Sequence, residues 1–114
     1  MDTKEYEEAK EIVLQEIRRR ESTLGELTVV DELSVILTWG VIFVWNSSKF
    51  LETRDPNDAC YGNVPILVDL KTKDKIYLHF ADAEDFLVGT LVRNYAAKHG
   101  YPIPVNLDLL LDKL

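Results

Sequence analysis

The stretch Thr38 to Asn46, T-W-G-V-I-F-V-W-N, is apolar at nearly every position and rich in β-branched and aromatic residues. Those residue types favour a strand. A strand with one face in water alternates apolar and polar side chains, and this one does not. It therefore has to be central, covered on both faces or on one face plus a partner. Gly40 inside it predicts a bulge or a close approach of another backbone. The longer apolar run, Leu33 to Trp45, is too short to span a bilayer and contains Ser34 and Thr38. The cover has to come from elsewhere in the chain or from a partner.

At 114 residues the chain is one domain's worth, enough to bury roughly two-thirds of its unfolded surface. Two amphipathic segments can supply the cover. From Asp2 to about Arg20, Tyr6, Ala9, Val13 and Ile17 recur at three- and four-residue steps, on one helical face. Asp2 and Glu5 have capping-box spacing, and acids at the start with Arg18, Arg19 and Arg20 at the end complement the helix dipole. A second helix is predicted to open at Asp82 and Asp85. Leu87, Leu91 and Tyr95 form one stripe and Val88, Val92 and Ala96 its neighbour. Gly100 and Pro102 end it.

Between the helices, Leu27 to Val30 reads as a strand and 31–34 as a connector. Pro65 to Asp69 and Lys75 to Phe80 form a hairpin around Lys71 to Asp74. Ser47 to Val64 reads as a long polar loop with turns at Asp55-Pro56 and Gly62-Asn63, pinned by Phe50, Leu51 and Tyr61. The order predicts an α+β fold over 1–114: an antiparallel sheet of about four strands, with an N-terminal helix and a helix after the last strand. From about residue 102 a tail carries Leu107, Leu109, Leu110, Leu111 and Leu114. It is expected to dock as a short strand or helix, on this domain or on a second subunit. Three consecutive leucines in a strand exceed what one small domain can bury, which leaves a homodimer through the tail open.

The formal net charge of -7 repels nucleic acid and anionic membrane and attracts a basic partner. The opening Met1-Asp-Thr-Lys-Glu lacks the basic start and apolar stretch of a signal peptide, so a cytoplasmic location is expected. The single cysteine, Cys60, allows no intrachain disulfide. Asp55 and Asp58 nearby raise its thiol pKa, the wrong direction for a nucleophile. Cys60, His79 and His99 lie in three different elements, His79 on a sheet face and His99 at a helix end. No GxGxxG, Walker loop, H-E-x-x-H, C-x-x-C or nucleophile elbow occurs. Glu52, Asp55 and Asp58 share a loop, but their spacing matches no calcium loop. No catalytic group, metal or cofactor is expected. A loop this long in a small domain is more often functional than not, and binding another protein is the function class left.

The middle of the chain carries a more specific signal. The aromatic strand runs into K-F-L-E-T-R-D-P-N-D-A-C-Y-G-N-V-P and then I-L-V-D-L-K-T-K-D-K-I-Y-L. Trp45, Phe50, Leu51, Glu52, Thr53, Asp55, Ala59, Gly62, Asn63, Pro65, Val68, Asp69 and Thr72 match a pattern of loop and hairpin. In this the chain resembles the bacterial immunity protein 35 family, over about residues 39–95. Arg54 stands where that family has a loop glycine, Asp74 where it has a hairpin glycine, and His79-Phe80-Ala81 where it has L-G-T. The tail beyond Tyr101 is additional. The resemblance implies a protein that neutralises a cognate polymorphic toxin by direct binding; the alternative it carries is a small chaperone-like or stress protein. The candidate partner-binding residues are Trp39, Trp45, Glu52, Asp55, Asp58, Tyr61 and Asn63. Trp39 and Trp45, both at odd positions, are expected to share a strand face, as core residues or with one an exposed anchor.

Overall fold

The computed structural model describes residues 3–19, 25–58, 64–78 and 87–112. Helix α1 spans Thr3–Arg18 and buries Ala9, Val13 and Ile17, the stripe read from the sequence. Among the described residues six antiparallel strands follow: β1 Leu27–Val29, β2 Val35–Ile36, β3 Gly40–Phe43, β4 Trp45–Ser47, β5 Ile66–Asp69 and β6 Lys75–Tyr77. A short helix α2, Ser48–Thr53, sits between β4 and β5; α3, Leu87–His99, and α4, Leu107–Leu111, follow β6.

β1 pairs with β4, and the other strands form a sheet in the order β2-β3-β5-β6. β3 and β4 are one course of chain broken at Val44, whose carbonyl accepts the Val30 N–H at 2.8 Å. β1 and β2 run along the same side of it, separated by a 3₁₀ turn at Asp31–Leu33. Between the pairs Val29↔Trp45 and Val35↔Ile42 one strand advances six residues and its partner three. The excess is odd, so it exchanges the faces of every side chain beyond it.

The exchange sorts the core into two. On one face, Ala9, Val13 and Ile17 of α1 pack on Leu27, Val29, Val41, Phe43, Trp45, Ile66 and Val68. On the other, Val88, Val92 and Ala96 of α3 and Leu107 of α4 pack on Val35, Leu37, Ile42, Leu67 and Leu78. All four residues of β3 and of β5 are buried, as a strand without a polar face requires. Each large side chain so buried contributes about 1.5–3 kcal/mol. The 3₁₀ turn that makes the exchange is tied to α1: Asp31 accepts the Tyr6 hydroxyl at 2.7 Å and pairs with Lys10 at 3.0 Å.

The tail docks on its own chain. As a helix, α4 turns Leu107 fully inward and Leu110 and Leu111 partly so, leaving Leu109 exposed. Helical spacing thus accommodates leucines that a strand could not. Arg93 of α3 holds Asp108 of α4 at 2.9 Å. α3 ends at Gly100, with φ +71. The Tyr101 N–H reaches the Ala96 carbonyl and the Gly100 N–H the Ala97 carbonyl, the paired bonds of a glycine-terminated helix. The helix opening expected at Asp82 and Asp85 lies outside the described residues, as does Asp2.

Three readings change. The Ser47–Val64 loop contains α2 and a 3₁₀ turn at Pro56–Asp58; six helical residues are too few to show periodicity. A short strand, Val35–Ile36, precedes the long apolar strand, which begins only at Gly40. Trp39 and Trp45 do not share a face. Trp39 lies in the β2–β3 turn, where the Leu37 N–H bonds the Gly40 carbonyl, and strand alternation does not carry through a turn.

Gly40 fulfils the close approach read from its position. A Cβ built there would stand 2.9 Å from the Val68 carbonyl oxygen and 3.2 Å from Leu67 Cδ1. The oxygen belongs to a central strand and has no room to retreat. Gly40→Ala is expected to lower stability by about 1–3 kcal/mol, read as a lower urea midpoint at unchanged slope.

Candidate functional site

The candidate residues fall in two places. The first surrounds α2. Ser47 caps this helix, its Oγ accepting the Phe50 N–H at 3.0 Å. The Ser48 N–H reaches the Glu26 carbonyl, and Ser48 Oγ donates to Glu26 Oε1 at 2.8 Å. The helix closes at Arg54, in the left-handed region at φ 59. That conformation costs an L-residue with a Cβ about 1 kcal/mol. The guanidinium lies 6.0 Å from the Phe50 ring centroid. Next, the Asp55 N–H bonds Thr53 Oγ1 at 3.2 Å, and Asp55 Oδ1 accepts the Asn57 N–H at 2.9 Å. These local bonds give the segment a defined shape although residues 52–57 are all exposed. Glu52 and Asp55 therefore stand in solvent on an ordered ridge.

Trp45 lies beneath this region, fully buried, and its indole N–H donates to the Val64 carbonyl at 2.8 Å. It ties the far end of the loop to β4 and has no surface to offer a partner. Asp58 ends the 3₁₀ turn; its side chain lies outside the described residues, as do Tyr61, Asn63, Gly62, Cys60 and His79. Phe50 and Leu51 are half-buried.

The second place is the far end of the sheet. Trp39 is 6% exposed, and its indole N–H donates to the Pro102 carbonyl at 2.8 Å. Its ring stacks on Tyr101 at 5.0 Å and Tyr95 at 5.8 Å, and His99 extends the stack onto Tyr95 at 4.2 Å. Under these rings lies Asp69, fully buried at the end of β5. Its Oδ1 accepts the N–H groups of Lys71 and Thr72 at 2.8 and 3.1 Å; its Oδ2 accepts the hydroxyls of Tyr95 and Tyr101 at 2.8 and 2.9 Å. One carboxylate thus shapes the β5–β6 turn and fastens α3 and the chain after it to that turn. Burial alone would raise its pKa. The bonds from Tyr95, from the Thr72 and Lys71 amides and from Tyr101 outweigh burial and hold it below the usual carboxylate range. Burial, reinforced by the carboxylate, pushes the Tyr95 hydroxyl up to about 12. Asp69 matched the family pattern in the sequence, but its role was missed. The available signal was an acid ending the apolar strand I-L-V-D just before a turn, an Asx-turn position.

In the same turn the left-handed residue is Lys73, φ 66, a conformation that glycine favours. The Lys73 ammonium reaches Glu8 of α1 at 3.7 Å. On the α1 side, Glu16 accepts the Tyr77 hydroxyl and pairs with Lys75 at 3.0 Å and Arg19 at 2.9 Å. Hydrogen bonds from Tyr77 and Lys75 lower its pKa to about 2.

Depressed carboxyl pKa values stabilise the fold above the unfolded values near 4 and lose that contribution as pH falls through the folded ones. Stability is therefore expected to decline from about pH 5 downward as Glu16 and Asp69 take up protons. Asp69→Ala leaves two amides and two hydroxyls without their acceptor, a loss of about 2–4 kcal/mol at pH 7. Asp69→Asn is expected to cost less and to flatten the acid slope, leaving the Glu16 part. Urea titrations at pH 7, 5 and 3.5 measure both; an unchanged slope in Asp69→Asn would contradict the assignment.

Among the described residues no group of three or more His, Cys, Asp or Glu could hold a metal ion, and no helix is long and apolar enough to cross a membrane. No curated protein and no solved structure matches the chain. The family model for immunity protein 35 matches residues 7–89, from α1 through both central strands and α2 to the start of α3. The match takes in the α2 ridge, Trp39, Trp45 and the Asp69 turn. By that match, the chain belongs to the immunity protein 35 family.

Proposed function

We propose that this protein neutralises a cognate bacterial toxin by direct protein–protein binding in the cytoplasm, and that the ridge formed by α2 and the 3₁₀ turn after it meets the toxin. Membership of the immunity protein family carries the first half. The exposed run 52–57 on a locally hydrogen-bonded backbone supports the second. An ordered, protruding segment binds with little loss of conformational entropy. Its carboxylates, Glu52 and Asp55, together with the net charge of -7, suit a basic toxin surface. Asp58, Tyr61 and Asn63 continue the same loop and belong to the proposed contact. Trp45 acts from below, by holding Val64. Trp39 serves the opposite end of the sheet. Binding of this kind needs no catalytic group and no cofactor.

The test is co-expression with the product of the neighbouring gene. The wild-type chain is expected to co-purify with that product and to restore growth. Glu52→Lys with Asp55→Lys is expected to slow association at low salt and to weaken binding roughly tenfold. A neighbouring product that is neither toxic nor bound would end the reading. Full binding by the double variant would move the contact off the ridge.

A second reading, a chaperone-like protein, draws on the apolar side chains exposed near the tail. Val105 is fully exposed, and Leu109 (69%) and Ile103 (40%) are also open to solvent. If clients bind there, Val105→Ser with Leu109→Ser abolishes suppression of aggregation by a heat-denatured enzyme while leaving the fold intact; unchanged suppression removes the tail as the client surface.

A further inference from the structure

Among the described residues two cations, Arg54 and Lys73, occupy backbone positions that favour glycine. Both carry the same left-handed strain, and they differ in what the side chain does with it. Lys73 reaches across to Glu8 and links the β5–β6 hairpin to α1, so its cation serves the fold. Arg54 makes no ion pair among the described residues. Its one described side-chain contact is the Phe50 ring at 6.0 Å, a weak attraction at an exposed site. It stands exposed between Thr53 and Asp55 on the ridge, a cationic side chain flanked by Glu52 and Asp55; Lys49 at the other end of α2 is exposed as well. Glycine would relax the backbone there and, among the described residues, give up no ion pair. Strained backbone positions cluster at binding and catalytic sites.

We infer that Arg54 is a specificity-determining contact: its guanidinium binds a carboxylate of the toxin, set within the basic surface that Glu52 and Asp55 attract. The inference rests on the toxin-binding reading and names the group that discriminates within it. A planar guanidinium grips a carboxylate through two parallel N–H bonds, which an ammonium cannot reproduce. A toxin with a basic residue at that point meets Arg54 as a like charge, so one residue both selects the cognate toxin and rejects others. The mixed pattern matters here. Carboxylates alone would admit any basic protein, and a cation placed between Glu52 and Asp55 makes the surface selective.

The experiment uses the full chain, the product of the neighbouring gene as probe, and four variants: Arg54→Gly, Arg54→Lys, Arg54→Glu and Lys73→Gly. Thermal midpoints and affinities are measured on each. Arg54→Gly is expected to raise the midpoint by about 4 °C, through relief of strain, while weakening affinity at least roughly tenfold. Arg54→Lys retains charge without the fork and falls between; Arg54→Glu is weakest. Lys73→Gly leaves affinity unchanged. A variant that is more stable yet binds worse separates a contact from a structural support, since a support would lose both. Arg54→Gly binding as tightly as wild type overturns the inference while leaving toxin binding intact. Failure of the wild-type chain to bind is a failure of the toxin reading, and the inference falls with it.

Discussion

The two central strands, β3 and β5, bury every one of their side chains. A sheet with such a middle cannot lie on the surface of a domain, because leaving one face bare would put Val41, Phe43, Ile66 and Val68, or Ile42 and Leu67, into water. The arrangement of α1 on one side and α3 with α4 on the other follows from that demand. The polar devices at the edges then fix how the covers sit. Asp31 orients α1 through Tyr6 and Lys10, and Asp69 orients α3 through Tyr95 and Tyr101. Both carboxylates are held below their ordinary pKa by the groups that they organise, although burial works against it.

The 3₁₀ turn at Asp31–Leu33 explains how an edge of chain can serve both layers. In an unbroken strand Leu27, Val29, Val35 and Leu37, all at odd positions, would point to one face. With the turn between them, the first pair fills the α1 core and the second the α3 core. The edge thereby contributes to both cores although each piece is only two or three residues long. The same geometry separates the tryptophans. Trp45 keeps the parity of Val41 and Phe43, while Trp39 sits in the turn and joins the tyrosines of α3 and its exit.

What the sequence disclosed follows from where its signals are strong. The stripe of Ala9, Val13 and Ile17, the apolar course through Val41 to Trp45, the hairpin around Lys71 to Asp74 and the glycine stop at Gly100 each show a periodicity or a turn chemistry that few folds tolerate elsewhere. Helix α2 was hidden because six residues carry no period, although Ser47 offered a cap. The face exchange was hidden because a three-residue insertion leaves no mark in composition. Of the candidate contacts, Glu52 and Asp55 stand exposed, whereas the two tryptophans are consumed by the cores. An indole reads alike in a sequence whether it anchors a partner or a loop, and only burial tells the two apart. Arg54 drew notice in the sequence as a departure from the resembled family's pattern; its positive φ is a conformation that glycine favours.

Helix α1 has a consequence for the way the chain is made. It is synthesised before any part of the surface on which it rests, because that surface combines side chains from β1, β3, β4 and β5. An isolated helix of sixteen residues is marginal in water. At about 5–20 residues per second, several seconds pass on the ribosome before Val68 emerges to complete its seat. During that interval Val13 and Ile17 have no partner. The acids and arginines crowding the outer side of α1 then keep the nascent segment dispersed, so the charge that surrounds this helix serves biogenesis before it serves the folded protein.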